Sequence, residues 1–175
     1  MYNTVDKSNC GYDESAGIYV DGAKEIYIFK NTVSNSQYGI EIGAEEKDEH
    51  KNPVTDIIVE SNNLIGNSFT AIRVGGFEED SFFVKNTLFK KNKITKSKTS
   101  IIISKVDGIS FVENEIYDAT KYFVEMEFSK RETKNVTFEK NTFSGNGMFK
   151  IIGYSDDLTL KQFVNIYKSN KKKIK

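Results

Sequence analysis

The sequence predicts an all-β solenoid, a fold in which short strands stack coil upon coil. Three observations predict it: one eight-residue pattern recurs along the chain, its copies are unevenly spaced, and strand-forming residues dominate the composition. Aromatic and β-branched residues favour strands, and the 175 residues include a single proline. A chain of this length can form one domain with a substantial core.

The recurring pattern surrounds one asparagine with apolar positions. It reads apolar, any, apolar, any, any, Asn, any, apolar, with Thr87 in one apolar slot. Its copies stand at 26–33, 57–64, 87–94, 109–116 and 136–143, and MYNTV at the start matches the second half. The asparagines are therefore Asn3, Asn31, Asn62, Asn92, Asn114 and Asn141. Recurrence of the same inward positions is what stacked parallel coils require.

The spacing of these asparagines indicates a fixed coil that carries loops of different length. The steps are 28, 31, 30, 22 and 27 residues, so the 22-residue coil is the nearest to its bare size. A second short apolar strand accompanies each asparagine, at 17–20, 39–42, 71–74, 100–103, 122–126 and 148–152. About six coils, each with two or three strands, follow from this pattern.

The asparagine has a predicted role at a corner of each coil. We expect it to adopt the left-handed backbone conformation, which Asn tolerates better than most residues, and its amide to bond to the Asn one coil away. An antiparallel sandwich is the alternative fold, but the Asp-Gly pairs at 21–22 and 107–108 are not spaced as hairpin turns. We predict that Asn62→Val destabilises the protein more than Asn67→Val, because only Asn62 lies in this ladder.

The segments GIYVDGAKEIYIFKNTV, YGIEIGAE and AIRVGG resemble the right-handed parallel β-helix of the pectate-lyase-like superfamily, over roughly residues 1–165. The resemblance implies an all-β, right-handed parallel β-helix with coils over 1–156 and a closing segment with a basic tail over 157–175. That superfamily includes lyases, hydrolases, epimerases and plain scaffolds. We expect the chain to be a fragment of a longer bacterial protein, exported to the cell surface or medium.

The charge balance argues against several classes of partner. Lys plus Arg and Asp plus Glu both number 25, so no global field favours nucleic acid or an anionic membrane. No apolar run approaches the roughly 18 residues of a membrane span. The single cysteine, Cys10, forms no internal disulfide, and no Cys/His cluster suggests zinc. The expected partner is a polysaccharide, and open parallel strand edges also predict end-to-end or edge self-association.

The candidate site lies on the outer face of the second strands. Their outward residues are predicted to be Tyr19, Glu41, Arg73, Ile102, Val124 and Lys150. An aromatic ring, an acid and a guanidinium on neighbouring coils suit a sugar groove, because Arg binds carboxylates in bidentate fashion. The alternative is an exposed Glu41–Arg73 ion pair, which contributes about 0–1 kcal/mol.

Acidic loops flank this column. Asp13 and Glu14 lie in the segment 11–15, and the loop 43–53 carries four acidic residues with His50, the single histidine. A carboxylate cluster suits calcium, although no EF-hand spacing is present and a solvated acidic loop is the alternative. His50 is a candidate acid or base, or simply an exposed loop residue. The acidic segment 77–80 follows Arg73.

The resemblance implies two chemistries. In a lyase, Arg73 is the base that abstracts the proton next to a uronate carboxylate after calcium or another cation neutralises that carboxylate, with Lys24, Lys105 and Lys150 as poorer candidates. In a hydrolase, Glu41 pairs with Asp21 or Asp13 across the scissile bond. No Asp-Pro-His signature of the epimerases occurs.

The sequence thus predicts a secreted carbohydrate-active protein that binds or cleaves an acidic polysaccharide. Its substrate contacts would include Tyr19, Asp13, Glu14 and His50. The alternative is a non-catalytic scaffold or glycan-binding module. The enzyme interpretation requires an open cleft over Tyr19, Glu41 and Arg73, whereas the scaffold interpretation requires that this face be filled.

Overall fold

A computed structural model describes residues 2–9, 15–44, 54–76, 83–127 and 133–152. These residues form three parallel sheets that run side by side along the molecule. Sheet A contains β1 (Thr4–Asp6), β4 (Thr32–Ser34), β7 (Asn63–Ile65), β10 (Lys93–Thr95), β13 (Glu115–Tyr117) and β16 (Thr142–Ser144). Sheet B contains β2 (Ala16–Val20), β5 (Tyr38–Gly43), β8 (Thr70–Gly75), β11 (Thr99–Ser104), β14 (Tyr122–Glu127) and β17 (Met148–Ile152). Sheet C contains β3 (Tyr27–Phe29), β6 (Val54–Glu60), β9 (Val84–Lys90), β12 (Val106–Val112) and β15 (Lys134–Glu139).

The topology confirms the predicted stacked coils. Each strand pairs in parallel with the equivalent strand one coil away, so the chain winds through sheets A, B and C in turn. The eight-residue pattern spans two strands, one in sheet C and one in sheet A, with the asparagine at the corner between them. The coil with the 22-residue step is the bare one, since Lys105 alone separates β11 from β12. Loops of varied length therefore leave mainly between sheets B and C.

The core is a set of inward columns that run along the stack. Ile40, Ile72, Ile101 and Val124 form one such column in sheet B, and all are fully buried. Aromatic rings stack in the same way behind sheet C, where Phe89 and Phe111 have centroids 4.7 Å apart. Each inner coil therefore buries its apolar side chains against the coils on both sides.

The predicted asparagine ladder is present from Asn3 to Asn141. In each rung the backbone N–H and the side-chain amide of one Asn donate to Oδ1 of the next, at 2.8–3.1 Å. The amide also reaches back, since Asn62 Nδ2 lies 3.0 Å from the carbonyl oxygen of Ile28. The ladder thus links backbone and side chain of successive coils at a corner that is buried from Asn31 to Asn114.

The predicted left-handed conformation of the asparagine itself is wrong. The positive φ falls on the residue before it, at Lys30, Ser61, Lys91, Glu113 and Lys140, with φ between 52° and 56°. These residues are mostly exposed, so their side chains meet no steric conflict with the core. The asparagine is required for its paired donor and acceptor, and the turn itself is made one residue earlier.

A second polar corner, between sheets A and B, was not predicted. It contains the small residues Ser8, Ser36, Asn67 and Ser97, each directly after a residue with positive φ. The Ser8 N–H donates to Ser36 Oγ at 3.2 Å, and the Ser36 N–H donates to Asn67 Oδ1 at 3.3 Å. Asn67 is therefore buried in a shorter and weaker polar column.

Candidate functional site

Strand register aligns the predicted column on the outer face of sheet B. Tyr19 pairs with Glu41, Glu41 with Arg73, and Arg73 with Ile102. The next two positions are Glu125 and Lys150. The column therefore carries an aromatic ring, an acid and a guanidinium on successive coils, as the sequence predicted.

The prediction that Val124 points outward is wrong. Val124 is fully buried and pairs with Ile101, so Glu125 occupies the outward position instead. A shift of one residue along a strand moves every side chain to the opposite face. The apolar side chain lies in the core and the acid in the half-exposed column, which is the energetically favourable choice.

Glu41 and Arg73 form a buried ion pair. Nη1 of Arg73 donates to Oε1 of Glu41, and the two residues are only 3% and 8% exposed. The guanidinium carbon of Arg73 lies 5.2 Å from the centroid of the Tyr38 ring. This burial differs from the exposed pair that the sequence suggested. Removing one partner of a buried pair leaves an uncompensated charge and costs about 3–5 kcal/mol.

Tyr19 and Asp21 form the exposed end of the column. Tyr19 is 51% exposed, and its hydroxyl donates to Asp21 Oδ2 at 3.2 Å. The ring lies over Gly43, where an added Cβ would be 3.2 Å from Tyr19 Cε2. The absence of a side chain at Gly43 is what lets this ring settle across the next strand.

Sequence reasoning missed a buried acid beside the column. Ser104 Oγ lies 3.2 Å from Glu127 Oε2, and the two residues are 2% and 8% exposed. The inward–outward alternation of side chains along β14 could have revealed this acid, because Glu125 and Glu127 fall on the same outward face once Val124 points inward.

The sequence model of the protein family described as the right-handed beta helix region matches residues 2–172 of the chain. The chain belongs to this family. It is thus an all-β right-handed parallel β-helix, as the sequence resemblance implied. The family indicates a carbohydrate-active or surface-scaffold fold.

One curated relative of this β-helix is the uncharacterized protein YwoF of Bacillus subtilis (strain 168). It is 32% identical over 85 residues, which are 49% of this chain. The matched region is 18% of that relative's length, so the chain corresponds to a small part of it. No solved structure matches the chain.

Several predicted site residues lie outside the described residues of the β-helix. They are Asp13, Glu14 and His50, together with the acidic loop residues 45–53 and the acidic segment 77–80. Within the ranges that the structure describes, no group of three or more His, Cys, Asp or Glu is arranged to hold a metal ion. In those same ranges no helix is long and apolar enough to cross a membrane.

The alternative base candidates are distributed around the coil. Lys24 forms an isolated parallel β-bridge with Thr55 beside sheet C, and Lys105 forms the turn between sheets B and C. Lys150 lies on β17, three strands from Arg73, which is about 14 Å at the usual strand spacing. A hollow of about 490 Å³ at the first coil is lined by none of the predicted site residues.

Proposed function

We propose that this β-helix is a non-catalytic, glycan-binding segment of a longer exported or cell-surface protein, and that its outer face binds acidic polysaccharide. The observation that carries the proposal is the burial of the Glu41–Arg73 pair. A base that removes a proton from a uronate must touch the sugar, and a hydrolytic carboxylate must reach the scissile bond. Both groups are instead engaged with each other below the surface.

The pair has a structural role in this proposal. It neutralises two charges on adjacent strands and fixes the outer face of β5 against β8. Glycan contact falls to the exposed end of the column, where the Tyr19 ring is held by Asp21. An aromatic face with a hydrogen-bonding group beside it suits a sugar ring, which has apolar C–H faces and polar edges.

Turnover and binding are measured separately on the same protein. The chain is incubated with pectate and alginate, with calcium and then with EDTA, while unsaturated products are assayed by ultraviolet absorbance. Binding is followed in parallel by the shift in thermal unfolding. We expect a shift with at least one uronate polymer, no product, and loss of the shift in Tyr19→Ala.

The double variant Glu41→Leu/Arg73→Met separates structure from chemistry. Replacing both members of a buried pair by apolar residues of similar volume is close to neutral for stability, whereas Arg73→Ala alone is strongly destabilising. We expect the double variant to stay folded and to bind as the wild type does. Product formation by the wild type that the folded double variant lacks would overturn the proposal in favour of a lyase or hydrolase. Absence of any binding would reduce the chain to a scaffold.

A further inference from the structure

An aromatic surface lies on the outer face of sheet C, on a different sheet from the Tyr19 column. Tyr27 is 56% exposed and lies beside Ile58, which is 39% exposed. Two outward columns meet here, and together they form what we call the Tyr27 surface: Tyr27, Ile58 and Leu88 in one column, and Phe29, Glu60 and Lys90 in the other. None of these residues belongs to the site predicted from the sequence.

The side chains of the Tyr27 surface hold one another in place. The rings of Tyr27 and Phe29 stack, with centroids 5.0 Å apart and planes inclined by 20°. The Tyr27 hydroxyl donates to Glu60 Oε2 at 2.8 Å, and Lys90 Nζ lies 3.3 Å from Glu60 Oε1. Groups that are ordered before binding lose less conformational entropy when a ligand arrives.

The electrostatics of the cluster agree with this geometry. The hydrogen bond from Tyr27, followed by the interactions with Lys90, lowers the pKa of Glu60. Desolvation and the bond to the Glu60 carboxylate raise the pKa of the Tyr27 phenol. At neutral pH the phenol therefore keeps its proton and the carboxylate keeps its charge, which Lys90 offsets.

We propose that the Tyr27 surface binds a neutral glycan. The apolar parts of Tyr27 and Ile58 face the C–H surface of a sugar ring, while Glu60 and Lys90 retain hydrogen-bonding capacity for hydroxyl groups. The charges of Glu60 and Lys90 offset each other, so the six side chains of the Tyr27 surface carry no net charge.

The size of the surface favours an oligosaccharide over a folded protein. Its three strands span about 10 Å at the usual strand spacing. A stable protein interface covers about 800 Å² on each partner, far more than six side chains on a flat sheet present. A short run of sugar units matches the available length.

The test measures binding of cellohexaose and mannohexaose by calorimetry, with oligogalacturonate as an acidic comparison. We expect one neutral hexasaccharide to bind in a manner nearly independent of salt, and Tyr27→Ala to weaken it about tenfold, the value of one lost aromatic contact. Glu60→Gln is expected to weaken binding less, because the rings remain.

Tyr117→Ala is the matched control. Tyr117 also lies beside a carboxylate, and desolvation followed by the interaction with Glu115 raises the pKa of its phenol, but Tyr117 belongs to sheet A. We expect this variant to bind as the wild type does. If Tyr27→Ala does not fold, Tyr27→Phe takes its place, because this variant keeps the ring and removes only the hydrogen bond to Glu60. We then expect Tyr27→Phe to weaken neutral-glycan binding to the same extent as Glu60→Gln.

The outcomes separate this proposal from the function proposed for the Tyr19 column. Loss of neutral-glycan binding in Tyr27→Ala and its retention in Tyr19→Ala supports the Tyr27 surface. Binding of neutral glycan that Tyr27→Ala leaves unchanged, no binding of either hexasaccharide, or binding of oligogalacturonate alone overturns it. A concentration-dependent dimer that Tyr27→Ala disperses overturns it as well, since the surface then contacts a second copy of the chain.

Discussion

The asparagine ladder can be tested by replacing Asn62 and Asn67 with valine, one at a time. Both are buried, at 1% and 0% exposure, so each change places a branched apolar side chain of similar size in a similar setting. Asn62 Oδ1 accepts from the backbone N–H and the side-chain amide of Asn31. Its own amide donates to Asn92 Oδ1 and to backbone carbonyls, including that of Ile28.

The expected loss follows from the groups that each valine orphans. Asn62→Val leaves the buried N–H of Asn31 and one hydrogen of the Asn31 side-chain amide without an acceptor. At about 1–3 kcal/mol for each such group, with partial relaxation, we expect a loss of roughly 3–5 kcal/mol. Asn67→Val removes one long hydrogen bond, which the Ser36 N–H donates to Asn67 Oδ1. It also removes an amide nitrogen that has no partner among the described residues, so we expect a loss of only about 0–1 kcal/mol in the free energy of unfolding.

Urea unfolding followed by circular dichroism measures both variants against the wild type. The slope of the unfolding free energy against urea should stay unchanged, because the same surface is exposed on unfolding. A difference of about 3 kcal/mol between the two variants supports the ladder as a stabilising element. Equal losses, or a greater loss in Asn67→Val, would refute the reasoning and with it the predicted register.

Two further predictions concern residues of sheets B and C. Gly75→Ala should be severely destabilising, because φ of Gly75 is 123° and the new Cβ would lie 1.5 Å from a backbone oxygen of the next coil. Gly43→Ala is the control at the paired position, where the new Cβ meets only the edge of a ring. We expect this control to lose little free energy of unfolding in the same assay. Tyr27 should deprotonate at a higher pH than an ordinary tyrosine, so its contribution to stability is complete below pH 10 and is lost as the pH rises through its raised pKa. Difference absorbance of the wild type against Tyr27→Phe measures the pH midpoint of the Tyr27 titration. We expect Glu60→Gln to lower this midpoint. An unchanged midpoint in Glu60→Gln would contradict the role assigned to the Glu60 carboxylate.

The fold was predictable because a solenoid repeats its chemistry. One asparagine with fixed apolar neighbours, six times over, specified the ladder, the coil count and the strands of sheets C and A, and the second apolar segment of each coil specified the strands of sheet B. The bare coil around Lys105 was visible in the 22-residue step. Local pattern and long-range contact coincide in such a fold, since each coil contacts only its neighbours.

Finer features depended on information that the pattern does not carry. The left-handed turn residue shares no side-chain type, because Lys30, Ser61 and Glu113 all adopt this conformation. The outward position of β14 required the exact register, and a one-residue error put Val124 where Glu125 lies. Burial of the Glu41–Arg73 pair depends on what covers the outer face, which no strand pattern reports.

The two proposed surfaces can be tested independently because of how the coil divides its residues. Among the described residues, the core occupies the inward positions and the ladder occupies one corner, so glycan binding by these residues falls to exposed positions of the outer columns. Tyr19 lies on sheet B and Tyr27 on sheet C, with different neighbours and no shared hydrogen bond among those described. Effects of substitutions at sites without shared partners add to a good approximation. A Tyr19→Ala/Tyr27→Ala double variant should therefore lose acidic and neutral glycan binding separately, each to the extent of its single variant, and any strong coupling between the two losses would mean that both surfaces belong to one site.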